Sequence, residues 1–379
     1  MTSVQTITAP AKEWIAALTR LTPAMAGSKP TPILYNCLVH PGDSSISGYD
    51  YATSAMTILE ESRGQGGGFL VSWRWLLDAI RSTSGKTKAA PVTVSVDDDK
   101  VTVSACGYQV HTEAGELEKY PPLPEVLPDA SSTLPAAGLR AALRQAGVAA
   151  SIDETLPVLN GIRVEMTDGA IDLMATDRYR LAYNHVAGEG KGAASFLLPR
   201  RAIKAIDRFI TRGTVVFGVH EESRKIIIAT AATTYTVMAF DGDYPKIRSL
   251  FPEEVTGAFE VDRVVLLESA RVAAAMNERH QPCLISLFDE GGKVTFDFGV
   301  FGPSESPTAA GGNVAGDKEP IKFAMNPHFV IETLTQFSTD KVRISYTSLP
   351  KPFLFTGEGV AAGEEEALKH LIMPVRMPS

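Results

Sequence analysis

The feature that most constrains the fold of this chain is an internal repeat with a period of about 125 residues. A short apolar segment with a proline recurs at residues 31–34, 156–159 and 281–284, and we expect each copy to open a strand. Alternating patterns then predict antiparallel strands at 45–53, 169–182 and 293–301. A closing segment at 120–128 is repeated at 244–252. Since 379 residues exceed one ordinary domain, we predict three copies of one domain, at 1–126, 127–253 and 254–379.

Two helices are expected in each repeat. Apolar residues spaced to share one helix face predict the first set: Trp73, Leu77 and Ile80; Ile203, Ile206 and Ile210; Val330, Leu334 and Phe337. A second set is expected at about residues 11–21, 136–150 and 262–278, and residues 371–377 predict a final strand. Two helices with many short antiparallel strands per unit indicate the fold class α+β.

Positive charge is segregated on these helices, although the formal net charge of the chain is -8. Stacked basic residues occur in the helix expected at about 198–213, in the helix before it, and in the first repeat: Arg201, Lys204, Arg208 and Arg212; Arg140 and Arg144; Arg74 and Arg81. Such a stripe is typical of contacts with nucleic-acid phosphates, which do not depend on base sequence. The alternative is an ordinary solvated helix face, and the helix at 326–337 has no Lys or Arg.

No catalytic or cofactor motif stands out in the sequence. The glycine run at 64–68 lacks the Lys-Ser/Thr of a phosphate-binding loop, and the aspartates at 97–99 favour a hairpin turn over a metal site. Cys37, Cys106 and Cys283 fit neither a disulfide framework nor a metal motif, and the seven histidines lack metal-ligand spacing. We therefore expect a protein that is not an enzyme and that needs no cofactor or metal.

Neither a membrane span nor a secretory signal is predicted. The apolar runs are strand-sized, far below the roughly 20 residues of a spanning helix. The first residues also lack a basic region followed by an apolar core. We therefore expect a cytoplasmic location.

Four motifs carry a resemblance to a known family. They are Leu-Asn-Gly at 159–161, Ala-Thr-Asp-Arg-Tyr-Arg-Leu-Ala at 175–182, Gly-Asp-Tyr-Pro at 242–245 and Met-Pro-Val-Arg at 373–376. In order and spacing they resemble the bacterial DNA polymerase III β sliding clamp. Arg178 and Tyr179 replace the Gly-His common in that family, which is similar to its actinobacterial branch.

The resemblance implies three tandem DNA-clamp domains per chain and a head-to-tail homodimer that closes a pseudo-six-fold ring around duplex DNA. The implied function is that of a processivity factor without catalytic activity. It would tether the DNA polymerase III alpha subunit, the clamp loader and repair polymerases through a short clamp-binding peptide. The DNA-facing residues would be Lys29, Arg74, Arg140, Arg144, Arg201, Lys204 and Arg208.

Two further sites follow from the same resemblance. The peptide pocket would use Leu159, Thr176, Arg178, Tyr179, Arg180, Leu181, Pro245, Leu250, Leu371, Met373, Pro374, Val375 and Arg376. Aliphatic and Met side chains suit apolar peptide anchors. The subunit joint would place Val110 and Thr112 against Ala274, Ala275 and Met276, a thinner apolar contact than the family usually has.

Two other hypotheses stay open at this point. A specialised clamp paralogue, phage-borne or of an antibiotic-resistance type, would keep the ring and pocket but prefer other partners. An enzyme acting on DNA or carbohydrate would instead need a catalytic acid such as Asp50 or Asp177. Each of these aspartates lies near the end of a matching strand in its repeat, which favours a structural role.

Overall fold

The chain folds into two compact units. The computed structural model describes residues 4–25, 31–153, 155–210, 212–278, 281–287, 293–297, 303–309, 321–349, 351–360 and 368–375. Unit 1 comprises residues 1–137, 188–194 and 201–239, and unit 2 comprises 138–187, 195–200 and 240–379. The three domain boundaries remain a prediction.

Seven α-helices occur in the described ranges. They are α1 Ala11–Arg20, α2 Thr22–Met25, α3 Trp73–Ser84, α4 Ala136–Gly147, α5 Arg200–Phe209, α6 Arg263–Met276 and α7 Pro327–Leu334. Polar side chains cap three of them by accepting a hydrogen bond from a first-turn N–H: Ser72 on α3, Asp262 on α6 and Asn326 on α7. These caps fix where each helix begins. None of the helices described is long and apolar enough to cross a membrane.

Unit 1 holds two antiparallel sheets. The first has the order β5-β1-β7-β8-β9, with β1 Gln5–Pro10, β5 Arg63–Gln65, β7 Pro91–Asp97, β8 Lys100–Ala105 and β9 Tyr108–Glu113. The second has the order β14-β10-β16-β17-β18-β4-β3-β2-β6. Its strands are β2 Asn36–His40, β3 Ser45–Tyr49, β4 Thr53–Ile58, β6 Phe69–Ser72, β10 Ala130–Pro135, β14 Glu189–Lys191, β16 Thr214–His220, β17 Lys225–Ala229 and β18 Thr233–Met238.

Unit 2 contains the other two sheets. The larger has the order β15-β11-β12-β13-β26-β25-β24-β19, with β11 Gly161–Thr167, β12 Ala170–Thr176, β13 Arg180–Val186, β15 Ala193–Pro199, β19 Gly257–Asp262, β24 Lys341–Tyr346, β25 Phe353–Gly357 and β26 Lys369–Ile372. The smaller has the order β22-β21-β20-β23, with β20 Cys283–Leu287, β21 Lys293–Asp297, β22 Pro303–Ala309 and β23 Ile321–Met325. Few helices and many antiparallel strands confirm the α+β class.

An aromatic core holds the C-terminal part of unit 2 together. Phe259, Phe323 and Phe353 are buried there against the inner faces of α6 and α7. The Phe323 and Phe353 rings stack with their centroids 4.0 Å apart. Such ring pairs add to the stabilisation that burial gives. They fix α7 against the sheet that carries the final strand.

Several predicted elements differ from the observed ones. Residues 32–35 form a 3-10 helix and 156–159 a turn, and a strand follows each of them, β2 at Asn36 and β11 at Gly161. The third proline segment enters β20 within the segment itself, at Cys283. Proline fixes φ and lacks an N–H, which suits a turn before a strand. The helix predicted at 198–213 begins at Arg200, because β15 ends at Pro199. Helix α7 ends at Leu334, before Phe337, and the last strand ends at Ile372.

Candidate functional site

The tight turn between β12 and β13 carries the most distinctive of the four motifs. The Asp177 carboxylate accepts hydrogen bonds from the backbone N–H groups of Tyr179 and Arg180, both at 3.0 Å. Thr176 Oγ1 donates to the Arg180 carbonyl at 2.8 Å and accepts from Arg178 N–H at 3.1 Å. Arg178 has φ 79°, in the left-handed region that glycine adopts at least cost. The aspartate therefore serves the turn, as expected for a structural role.

Arg180 anchors this turn to helix α7. Its side chain is 8% exposed and forms ion pairs with Asp177, at 2.9 Å, and with Glu332. Its guanidinium carbon also lies 4.6 Å from the Phe329 ring centroid. The Tyr179 ring stacks on Phe329 with a centroid distance of 6.2 Å, yet the residue is 55% exposed. The ion pairs and the contact with Phe329 thus hold the Arg180 guanidinium in place, while the Tyr179 ring remains exposed to solvent.

A cavity of about 520 Å³ opens beside this turn. The lining residues come from the segment after α4, the turn, the start of α5 and the first half of α7. They are Val148, Ala150, Ser151, Ile152, Asp153, Asp177, Arg178, Tyr179, Arg180, Arg200, Asn326, His328, Phe329 and Glu332. An aromatic wall with polar groups of both signs suits an extended peptide with apolar anchors.

A buried apolar cluster lies behind the turn. Leu159, Leu181 and Leu371 are at most 8% exposed and pack with Tyr244. The Tyr244 hydroxyl accepts a hydrogen bond from Thr176 N–H at 2.9 Å, and burial raises the pKa of that hydroxyl. A second cavity of about 380 Å³ adjoins this cluster along residues 244–249 and includes Pro245.

The C-terminal motif lies next to the turn through β26. Strand β26 pairs with β13, and Met373 N–H donates to the Tyr179 carbonyl at 2.8 Å. Met373 and Val375 are 36% and 42% exposed, Pro374 is partly buried, and Leu250 is 55% exposed. Arg376 lies outside the described residues. Apart from Arg376, the predicted pocket residues lie in unit 2. Of these, Arg178, Tyr179 and Arg180 line the 520 Å³ cavity and Pro245 lines the 380 Å³ cavity, whereas the others line neither.

Sequence reasoning missed the contribution of helix α7 to this cavity. Asn326, His328, Phe329 and Glu332 line it, although only the buried face of the helix was predicted. The sequence signal was the Asn-Pro pair at 326–327, because this pair predicts that a helix begins there with Asn326 as its cap. A second missed feature is Arg248, which donates to Asp172 at 2.7 Å and fixes the loop that carries Pro245.

The predicted DNA-facing residues lie on helices in both units. Arg74, Arg144, Arg201 and Lys204 are exposed, and Arg140 is partly buried. On α5 the two cations lie away from the helix face that buries Ala202 and Ile206. The side chain of Arg208 and all of Lys29 lie outside the described residues.

The residues predicted for the subunit joint lie on an edge strand and on one helix. Val110 and Thr112 lie on β9, the last strand of its sheet, and both are partly buried. Ala274 is partly buried on α6, whereas Ala275 and Met276 are exposed. Helix α6 also exposes Val272, at 52%, so its apolar face extends beyond the three predicted residues.

The sequence is similar to known beta sliding clamps over most of its length. Residues 133–246 match the family model for the DNA polymerase III beta subunit, central domain. A beta sliding clamp of Streptomyces coelicolor is 31% identical over 361 residues, covering 92% of this chain and 93% of that protein. The beta sliding clamp homolog GriR of Streptomyces muensis is 28% identical, over 91% of this chain and 92% of its own.

Solved structures share the fold over nearly the whole length. The DNA polymerase sliding clamp of Bacillus subtilis superposes with a TM-score of 0.86 at 18% identity, covering 99% of this chain and all of that one. A Pseudomonas aeruginosa sliding clamp bound to griselimycin has a TM-score of 0.86 at 19% identity, covering 98% of this chain and all of that one. The chain belongs to the beta sliding clamp family and is a DNA sliding clamp, the non-catalytic processivity subunit of DNA polymerase III.

Proposed function

We propose that two copies of this chain join head to tail into a ring around duplex DNA in the cytoplasm. In that ring, β9 of one copy meets α6 of the other. An edge strand leaves backbone groups unpaired and is therefore able to pair with a second chain. Exposed Val272 and Met276 on α6 supply the apolar area that a lasting contact needs. The family and the exposed apolar face of α6 support this assembly.

The inner surface of this ring is assigned to the helix faces that carry Arg74, Arg140, Arg144, Arg201 and Lys204. A sliding ring needs attraction to phosphate without base readout, because tight local contacts would stop movement along DNA. The segregated cations meet that need on a chain whose net charge is -8.

The cavity at the Thr176–Arg180 turn is assigned as the site for a short peptide of the polymerase alpha subunit, the clamp loader and repair polymerases. The observation that carries this assignment is the aromatic wall of Tyr179 and Phe329 above the paired Arg180. Apolar side chains of a peptide would bind against these rings, while its backbone meets the polar rim.

Arg178 and Tyr179 at the mouth also favour a second candidate function, a specialised clamp with shifted partner preference. Both are bulky, and Tyr179 is 55% exposed beside the cavity. Such side chains narrow the entrance and select among peptides by size. A beta sliding clamp homolog, GriR of Streptomyces muensis, is among the relatives that match nearly the whole chain.

Ring formation is tested by light scattering and by retention on DNA. A species near twice 40.6 kDa that stays on circular DNA and slides off linear DNA is expected. A monomer at all concentrations, or equal loss from both DNA forms, would contradict the ring.

The peptide site is tested with griselimycin, which a Pseudomonas aeruginosa clamp binds. We expect calorimetry to detect binding to this chain and Phe329→Ala to weaken it, while Leu117→Ala, an exposed control in unit 1, leaves it unchanged. Binding insensitive to Phe329 would refute the site. A functional ring that does not bind griselimycin would favour the specialised clamp.

A further inference from the structure

The turn between β3 and β4 in unit 1 has the same construction as the Thr176–Arg180 turn. The Asp50 carboxylate accepts hydrogen bonds from the N–H groups of Ala52, at 3.1 Å, and Thr53, at 2.7 Å. The residue after the aspartate is again left-handed, with φ 68° at Tyr51 against 79° at Arg178. The sequence repeat therefore extends to a matching set of hydrogen bonds.

A cavity of about 280 Å³ lies beside this second turn, entirely within unit 1. Its walls come from the same repeated places as those of the larger cavity, namely the segment after the first helix of the repeat, the turn, and the first half of the second helix. The lining residues are Thr22, Pro23, Asp50, Ala52, Thr53, Arg201, Lys204, Ala205 and Tyr235. Arg201 lies as far along the chain from Asp50 as His328 lies from Asp177.

The chemistry of the two cavities differs at the equivalent positions. Ala52 stands where the other turn has Tyr179, so a methyl group replaces that ring at this turn. Ala205 stands where helix α7 has Glu332, so the acid of that wall is missing here. Arg201 and Lys204 are both exposed at the cavity, whereas the Asp50 carboxylate accepts two backbone N–H groups. The cavity is therefore more basic than its counterpart.

We propose that this cavity is a second peptide site, selective for an acidic side chain flanked by apolar residues. The proposal rests on the assignment of the larger cavity as a peptide site, because the shared construction is what points to a peptide. A recess of about 280 Å³ admits one or two side chains, whereas a duplex backbone stays on the surface of a helix. Lys204 holds the carboxylate by a charge-assisted hydrogen bond, and the positive charge of Arg201 adds to the attraction.

The test uses the full chain and a fluorescent peptide of alternating aspartate and leucine, followed by anisotropy. Lys204→Glu is expected to weaken binding about tenfold or more, since hydrogen bonds to charged groups contribute that much. Ala52→Tyr, which fills the mouth without changing charge, is expected to weaken it similarly. Lys86→Glu is the matched control, because this exposed lysine lies in unit 1 away from the cavity.

Three results would overturn the proposal. Equal weakening by Lys204→Glu and Lys86→Glu would mean unspecific attraction. Unchanged binding in Ala52→Tyr would mean that the peptide binds outside the cavity. Loss of binding in Tyr179→Ala alone would place the acidic peptide in the larger cavity. Griselimycin binding to the same proteins reports on the larger cavity separately, so failure of one site is distinguishable from failure of the other.

Discussion

His370 makes the stability of unit 2 sensitive to acid. It lies on β26 opposite Ala182 and Phe355 and is 0% exposed. Neither ring nitrogen has a hydrogen-bond partner among the described residues, and the ring meets Phe337 edge-on at 5.8 Å. Burial, and secondly the positive charge of Arg180, lower the pKa of His370 to about 3 from 6.5. The imidazole is therefore neutral in the folded chain.

The direction of the pH effect follows from where the proton binds. Below pH 6.5 the unfolded chain takes up a proton on His370 that the folded chain excludes, so stability falls as the pH falls. Each pH unit between 6.5 and about 3 costs about 1.4 kcal/mol from this group, or on the order of 5 kcal/mol over the whole window. Above pH 6.5 its contribution is constant.

Replacing His370 with leucine separates this effect from other titrating groups. We expect His370→Leu to raise the free energy of unfolding at neutral pH by about 1–3 kcal/mol, since two unpaired buried nitrogens are removed. It should also flatten the loss of stability in acid. Urea unfolding at a series of pH values, followed by circular dichroism, measures both. Leu117→Ala, an exposed control outside β9 that removes no titrating group, should keep the parental slope. If the parent and His370→Leu lose stability equally with acid, the reasoning is refuted.

Four other predictions concern the turn, its anchor, DNA and the joint. Arg178→Gly relieves a left-handed φ and should stabilise by about 0.5–1 kcal/mol in thermal unfolding, and destabilisation would contradict the strain. Glu332→Ala leaves the buried Arg180 with one acid fewer and should cost about 1 kcal/mol, because Glu332 is 51% exposed; urea unfolding measures this, and no loss would show the pair to be unimportant. Lys204→Gln should reduce the salt slope of DNA affinity by about 1 in titrations, and an unchanged slope would remove it from the DNA surface. Val272→Asp should yield a monomer in light scattering, and an intact dimer would place the joint elsewhere.

Periodicity predicted the helices well because each has one buried face. The helix expected at 11–21 is observed as Ala11–Arg20, and the hairpin around Asp98 has that residue at φ 50° between β7 and β8. The first two proline segments form a 3-10 helix and a turn that precede a strand, because local apolar character does not distinguish a turn from a strand. Their recurrence still marked equivalent places in the repeats.

The candidate site was only partly predictable for a physical reason. The turn residues are adjacent in sequence, so one motif identifies Thr176 to Arg180. Phe329 and Glu332 reach the same cavity through packing of α7, a contact that no local pattern encodes. The sequence signal for this contact was the capped start of α7, because Asn326 fixes which side chains occupy the first turn of the helix.

The absence of Lys and Arg from helix α7 agrees with its place beside the cavity of the Thr176–Arg180 turn. Its first half presents His328, Phe329 and Glu332 to that cavity, and Glu332 pairs with the buried Arg180. A lysine or arginine on this surface would compete with Arg180 for Glu332 and repel the arginines of the turn. At the equivalent place on α5, where no buried arginine lies in the turn, Arg201 and Lys204 are tolerated. Helix α7, which lacks the basic residues of α3, α4 and α5, therefore lines the cavity whose turn already carries positively charged arginines.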